Sequence, residues 1–392
     1  MRRPCRSRLV SVAHAKLGDS LVPRLLDLVA AAGRPGCEVA TRLDLLIAIG
    51  PAYAWRRLRD EAAHARLDQG GRNRVYRDIW LHAATEVGAE LEELGRGWFE
   101  IRANGTRTRV NQQRVSLDDS VTIALAEDRT LTQALLAEAG LPIPEQLVFG
   151  ADDFASALNF LERHAGLCVV KPGSGTGGGE GTTAGVGTPA QLRRARIRAA
   201  RLAPQLVIER QVPGTVYRLL FLDGDLLDVV RRHPPRVQGD GKRTIRELIV
   251  AENQLRLAAG GNRRIEQLTI DLDCLYALEG AKLTLRSIPA TGEVVAVKTA
   301  TNQNRAEDNE TVREGLAPEL VAEARQAADA IGVRLAGIDL ITSDPGRSLH
   351  ESGGVVIEVN GHPGLHHHYQ VAKREQATRV AVPILRRLLG VG

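Results

Sequence analysis

Lys171 closes the apolar pair Val169-Val170, and after Pro172 come six glycines in a short span: Gly173, Gly175, Gly177, Gly178, Gly179 and Gly181. Glycines let backbone N–H groups converge on an anion without side-chain obstruction, and a lysine adds a positive point charge. The pattern suits phosphate binding. A flexible linker or hairpin tip is the plain alternative, but linkers rarely follow directly on an apolar strand that ends in a lysine. Towards the other end, Gly337-Ile338-Asp339-Leu340 and Val355-Val356-Ile357-Glu358-Val359-Asn360-Gly361-His362-Pro363-Gly364 read as strands that carry carboxylates. Glu358 and Asn360 are two apart and share a strand face. Asp339 on a neighbouring strand completes a set of oxygen donors suited to magnesium, which also takes phosphate oxygens and water. The alternative is exposed strand acids, although acids on apolar strands are uncommon. Between these runs lies Gln205-Leu206-Val207-Ile208-Glu209-Arg210-Gln211-Val212-Pro213-Gly214. It can offer backbone groups to an adenine edge; alone it is an ordinary strand exit.

Two other phosphate motifs do not fit. A Walker loop needs Gly-Lys followed by Ser or Thr, whereas Gly241-Lys242 is followed by Arg243. The run Gly173 to Gly178 formally matches a dinucleotide fingerprint, yet no acid occurs between Glu180 and Glu209, where a ribose-binding carboxylate would stand. Arginines there can suit a 2′-phosphate, so the C-terminal carboxylates decide the matter.

The elements that position these residues are partly legible. Leu131 to Ala139 reads as a helix capped by Gly140, and Pro142 and Pro144 then enforce extended chain. Strands are expected at 167–170, 205–209, 217–222, 335–341 and 354–359, with a hairpin turn at Gly224 and a loop at 343–346. Helices are expected at 189–202 and 317–331. Upstream, Leu43 to Ile49 suits a strand or a buried helix turn, Asp78 to Leu94 has helical spacing, and Phe99 to Val110 reads as a hairpin about Asn104-Gly105. The alternation is α+β in at least two layers.

The chain has 392 residues, too many for one ordinary core, with 43% hydrophobic and 25% charged content. No apolar run approaches the ~20 residues needed to cross a bilayer, and the basic start Met1 to Arg6 lacks the apolar stretch of a signal peptide. Cys5, Cys37, Cys168 and Cys274 are dispersed, which suggests reduced thiols in a cytoplasm. The net charge of +5 is modest, and few aromatics are available to stack on bases, so neither a nucleic acid nor a membrane is expected as partner. Only six residues are lysine, so each one in an informative setting draws notice. The arginines of 193–201 read first as a solvated face, with attraction of an anionic substrate as the alternative.

In their order along the chain, these pieces resemble the ATP-grasp superfamily, most of all the ATP-grasp part of cyanophycin synthetases and related fused glutathione-synthesising ligases. The resemblance runs from about Ser120 to Gly364. It rests on Asp128-Arg129 with Leu136 to Pro144, Val170-Lys171-Pro172 with its glycine loop, Val207 to Arg210 through Pro213-Gly214, and Tyr217-Arg218. Gly239-Asp240-Gly241-Lys242 with Thr244-Ile245 and Glu247-Leu248 follows, then Gly337-Ile338-Asp339 and Ile357 to Asn360 with Pro363-Gly364. It implies the ATP-grasp fold: two α+β lobes clamping ATP, with an additional N-terminal α/β domain. The implied partition is 1–120 for substrate binding or oligomerisation, 121–215 for the lobe with the glycine lid, and 216–392 for the lobe with the magnesium site.

The implied chemistry is amide or peptide bond formation between small carboxylate and amine substrates, amino acids or small peptides, through an acyl phosphate. ATP would be held by Arg129, Lys171, the glycines 173, 175, 177, 178 and 179, Glu209 and Val212. Two magnesium ions would be held by Asp339, Glu358 and Asn360. Arg218 would neutralise the transferred phosphate and Lys298 would face the acyl phosphate. A non-catalytic ATP-binding module and a kinase with a stable phosphorylated product are the alternatives. Arg129 stands where many relatives have a lysine, Val216 where they place a ribose-binding acid, and Thr301 to Arg305 where cyanophycin synthetases have a Ser-x-Gly-Gly-type loop. The chain stops at Gly392 with no Mur-ligase-like domain, which points to a stand-alone ligase of small products. His362 and His366-His367-His368 read as substrate-loop residues before metal ligands. Relatives are commonly dimers or tetramers, so self-association is an open expectation.

Overall fold

The computed structural model describes residues 26, 29–30, 33–49, 70–174, 179–258 and 267–391. Helix α1 spans Arg34–Ile49, and a second helix, α2, spans 70–86. Three strands follow, β1 (Glu90–Gly95), β2 (Trp98–Ala103) and β3 (Thr106–Asn111), then the helices α3 (Ser120–Glu127) and α4 (Arg129–Glu138). The middle of the chain runs β4 (Gln146–Gly150), α5 (Phe154–Arg163), β5 (Cys168–Pro172), β6 (Thr183–Val186), α6 (Pro189–Ala200) and β7 (Gln205–Arg210). Strands β8 (Thr215–Leu222), β9 (Asp225–Arg232) and β10 (Arg236–Gln238) lead to α7 (Ile245–Ala258), α8 (Leu272–Gly280), β11 (Val294–Ala296) and β12 (Asn309–Thr311). The chain closes with α9 (Pro318–Ile331), β13 (Leu335–Thr342), the turn of helix α10 (Leu349–Ser352), β14 (Val355–Asn360), α11 (His366–Tyr369) and α12 (Ala381–Leu389).

These elements group into two units. The first holds α1, residues 145–211 and 270–276. Its sheet is four-stranded and antiparallel, in the order β4-β7-β5-β6. Helices α5 and α6 pack on it, and Phe149, Phe160, Val170, Leu192, Leu206 and Ile208 are buried in the core between them. Helix α6 starts with a capping box in which Thr188 and Gln191 satisfy each other's backbone groups.

The second unit holds 60–144, 212–269 and 277–392. Its main sheet is antiparallel in the order β12-β9-β8-β13-β14. One face carries Tyr217, Leu219, Phe221, Ile338 and Leu340, covered by α4 and α9. Leu220, Leu222 and Leu335 lie in a second core, with Trp80 of α2, Phe99 and Ile101 of the β1-β2-β3 sheet, and Ile384 and Leu385 of α12. Trp80 is fully buried, and its indole N–H donates to the Gln112 carbonyl at 2.8 Å. Trp80→Ala should therefore lower stability by about 3–5 kcal/mol, seen as an earlier urea midpoint.

Several expectations from the sequence need correction. Asp78 to Leu94 is not one helix: α2 ends at 86, Gly88 takes φ +67° and strand β1 starts at Glu90. Leu43 to Ile49 is helical, but Leu43, Leu46 and Ile47 are exposed, so the turn is not buried. Among the described residues of 1–120, α1 and the α2 to β3 segment fall in different units. Helix α1 buries Cys37 and Ala40 against the first unit's core, whereas α2 and the β1–β3 sheet bury their apolar faces in the second unit. An isolated helix or three-stranded sheet has too little apolar surface to stand alone, so each docks on a larger core.

Candidate active site

In the first unit, the β5–β7 register sets Val169 opposite Glu209. Lys171, two residues on, is the diagonal neighbour of Glu209 on the same sheet face. Their side chains meet at 2.5 Å, Nζ to Oε2, and both are buried. The lysine at the strand end and the acid of the adenine segment thus form one group. A lysine ammonium is a compact cation with three donors, a type suited to both a carboxylate and a phosphate.

Gly173 extends the strand by one bond, its N–H donating to the Gln205 carbonyl at 2.9 Å. The expected phosphate-binding residues Gly175, Gly177 and Gly178 lie outside the described residues. Gly179, at φ +72°, closes the far side of the loop by accepting from the Thr182 N–H at 3.1 Å. Val212 is half-buried and groups with the second unit, apart from Glu209 in the first.

In the second unit, one row of side chains crosses three strands. Arg218 on β8 faces Asp339 on β13, and Asp339 faces Glu358 on β14. Arg218 grips Asp339 with two hydrogen bonds, Nε to Oδ1 at 2.6 Å and Nη2 to Oδ2 at 2.5 Å. Burial opposes the Arg218 charge, but Asp339, then Glu358 and Tyr76, hold its pKa above the ordinary value. Arg232 on β9 approaches Asp339 Oδ2 at 4.0 Å and donates to the Thr301 carbonyl at 3.2 Å.

Glu358 accepts from Arg129, the first residue of α4, at 3.2 Å. Arg129 therefore meets a candidate metal ligand in the second unit, whereas the sequence reading assigned it to ATP. Asn360 lies opposite Gly337 and donates from Nδ2 to the Gly337 carbonyl at 3.1 Å. Its amide nitrogen is thus engaged, and the oxygen is the end available to a cation. Gly337 is required for a different reason: a Cβ there would sit 2.7 Å from Pro363.

Asp339, Glu358 and Asn360 offer two carboxylates and one amide oxygen. Among the described residues, no cluster of three or more His, Cys, Asp or Glu is placed to hold a metal alone. Oxygen donors of this kind suit magnesium, which takes one or two carboxylates and completes its shell with water and substrate phosphates. Lys298, also buried, points its ammonium at Thr269 Oγ1 (3.2 Å) and Gln303 Oε1 (3.3 Å). Gln303 belongs to the loop that departs from the Ser-x-Gly-Gly pattern.

The histidines have separate protein partners. His366 Nδ1 is hydrogen-bonded to the Tyr76 hydroxyl at 3.0 Å, and His368 Nδ1 meets Asp228 Oδ2 at 2.7 Å. Burial, helped by Arg114, pushes His362 down from its ordinary pKa. The Gly239-Asp240-Gly241-Lys242 motif is a structural turn. A Cβ at Gly239 would lie 2.2 Å from the Ala290 carbonyl oxygen, and Asp240 caps the Lys242 and Arg243 N–H groups.

Arg232 and Tyr76 escaped the sequence reading. A charged residue at the end of an apolar strand was a legible signal for Arg232. Nothing local marks Tyr76, because its role arises from where α2 docks.

The two antiparallel sheets, one with a lysine and glycine loop and one with a row of arginine and carboxylates, are those of the ATP-grasp fold. The chain is 28% identical over 305 residues to the cyanophycin synthetase of Trichormus variabilis, covering 75% of this chain and 34% of that protein. It is 30% identical over 330 residues to the glutathione biosynthesis bifunctional protein GshAB of Enterococcus faecalis, covering 79% of this chain and 42% of that one. The crystal structure of a bifunctional glutathione synthetase from Pasteurella multocida superposes with a TM-score of 0.51 at 22% identity, covering 80% of this chain and 43% of that one. The chain thus spans about a third to under half of the relatives it matches. No protein-family model matches it.

Proposed function

We propose that the chain is an ATP-dependent carboxylate–amine ligase that forms an amide or peptide bond between amino acid or small peptide substrates through an acyl phosphate. The row Arg218–Asp339–Glu358 on one sheet face, with Arg218 and Asp339 buried beside Arg232 and Glu358 half-buried at its end, carries this reading. The names of the sequence relatives, cyanophycin synthetase and glutathione biosynthesis protein, support substrates of that class.

In this reading Lys171, steadied by Glu209, holds ATP phosphates under the glycine loop, and Glu209 with the chain through Val212 contacts adenine. Arg129 serves the nucleotide through Glu358. Asp339, Glu358 and Asn360 hold magnesium, which supplies charge neutralisation to the transferred phosphoryl group. Arg218 and Arg232 place fixed positive charge where the acyl phosphate develops, and burial keeps that charge effective. Lys298 faces the acyl phosphate. Among the described residues no helix is long and apolar enough to cross a membrane, and the described cysteines are free and buried, which supports a cytoplasmic place of action.

The test is Mg-ATP turnover across a panel of amino acids and dipeptides with mass detection. ADP release should require both an acid and an amine and should yield their summed mass less one water. Amine-independent ADP with a stable phosphorylated acid would make the chain a kinase. ATP binding without turnover on any pair would make it a binding module.

A further inference from the structure

The loop Thr301 to Arg305, where the Ser-x-Gly-Gly pattern is absent, is tied to two separate cations of the second unit. At its start Arg232, which approaches Asp339 Oδ2 at 4.0 Å, donates from Nη2 to the Thr301 carbonyl at 3.2 Å. Two residues on, the Gln303 amide oxygen accepts from the Lys298 ammonium at 3.3 Å. That same oxygen accepts from the Thr269 N–H at 2.9 Å and from the Thr269 hydroxyl at 3.1 Å. Thr269 Oγ1 in turn accepts from Lys298 Nζ at 3.2 Å. One short loop thus joins the arginine beside the Arg218–Asp339 row to the buried ammonium of Lys298.

Both supports of that ammonium are anchored on helix α7. Glu252, Asn253 and Arg256 stand at i, i+1 and i+4 and share one side of the helix. Asn253 clamps the residue before Thr269 with two bonds, donating to the Leu268 carbonyl at 3.0 Å and accepting from the Leu268 N–H at 2.8 Å. Arg256 Nη1 donates to the Gln303 carbonyl at 2.9 Å, and its Nε donates to Glu252 at 2.8 Å. Glu252 also accepts from Arg305 Nη1 at 3.3 Å. Asn304 Nδ2 bonds the His233 carbonyl at 3.1 Å and Asn309 Oδ1 at 2.7 Å. A network closed on a helix and a strand in this way leaves Gln303 little freedom.

A lysine carries its charge on a flexible four-carbon stem, so where the charge lies depends on what holds its end. A cation that stabilises a developing anion is effective when its place is fixed beforehand. An amide oxygen and a hydroxyl suit that task, because they orient an ammonium by hydrogen bonding without taking its proton. We propose that Gln303 is a positioning residue, which together with Thr269 aims Lys298 at the acyl phosphate. The loop then sets two cations at once, Arg232 through Thr301 and Lys298 through Gln303. This inference rests on the ligase reading and on the place of Lys298 in it.

The test is a double-mutant cycle on the full chain, run with the acid and amine pair that drives ADP release. Lys298→Met should lower kcat by about 10²–10³. Gln303→Leu should lower kcat by about tenfold or more, while the KM for ATP stays within about twofold of the parent. In the Lys298→Met background Gln303→Leu should cost nothing further, because it acts through the ammonium. Thr269→Val removes the hydroxyl from a side chain of nearly the same shape and should follow the same pattern, so the cycle still decides if Gln303→Leu does not fold. A scaffold role would instead cost as much in the Lys298→Met background as in the parent, and that result overturns the inference. So does parental kcat in Gln303→Leu and Thr269→Val when Lys298→Met is impaired; both results leave the ligase reading standing. Parental kcat in Lys298→Met would overturn the role of the lysine and this inference with it. A parent chain without turnover on any pair would overturn the ligase reading itself and, with it, the positioning role.

Discussion

Asp339→Asn should remove turnover and also loosen the second unit. The carboxylate has two duties: it completes the proposed magnesium donors, and it is the counter-charge to Arg218 at 2.5 and 2.6 Å with Arg232 at 4.0 Å. Loss of one well-placed group that neutralises transition-state charge costs roughly 10²–10³ in kcat, and a metal ligand should stand at the upper end. Removing one member of a buried ion pair costs about 3–5 kcal/mol, because the surviving charge is left in a poor solvent. For a unit of this size that lowers Tm by on the order of 10 °C.

The two effects separate in a double variant. Arg218→Met with Asp339→Leu replaces the pair by apolar groups of similar size, which is often neutral or stabilising for buried pairs. The Tm should return towards that of the parent chain while turnover stays absent. If Asp339→Asn alone, measured below its Tm, retains parental kcat, then Asp339 is a structural acid and the magnesium assignment fails.

The strands that bear the chemistry were legible because period-2 alternation and turn residues mark them directly. Gly140 and Gly224 fall where left-handed backbone was required, at φ +78° and +84°. The misread helix at Asp78–Leu94 had its own warning in Gly88, but the following run Ala89 to Leu94 keeps helical composition and hid the break. Pairings were not legible. The bond between Arg218 and Asp339 joins residues 121 apart and depends on the β8–β13 register. Likewise, Lys171 and Glu209 looked like servants of different parts of a nucleotide, and only the β5–β7 register makes them a pair. The fate of 1–120 was hidden for the same reason: an apolar helix face shows that it must dock, but not on which core.

Lys171→Met should weaken ATP binding by about 10- to 100-fold, the value of one hydrogen bond to a charged group. It should also destabilise the first unit, because Glu209 would be left buried without its cation. Stability loss alone can mimic lost affinity, so the pair must be taken apart. Glu209→Gln in the Lys171→Met background removes the stranded charge and should restore most of the stability. It should not restore ATP affinity, because the phosphate contact belongs to the ammonium. Lys171→Arg keeps the charge but trades a compact ammonium for a planar fork that cannot occupy the same space beside Glu209, so it should rescue neither property fully. Equal ATP affinity in the parent and in Lys171→Met, measured at a temperature where both are folded, would show that the lysine serves only Glu209. The phosphate-binding role would then pass to the glycine loop alone.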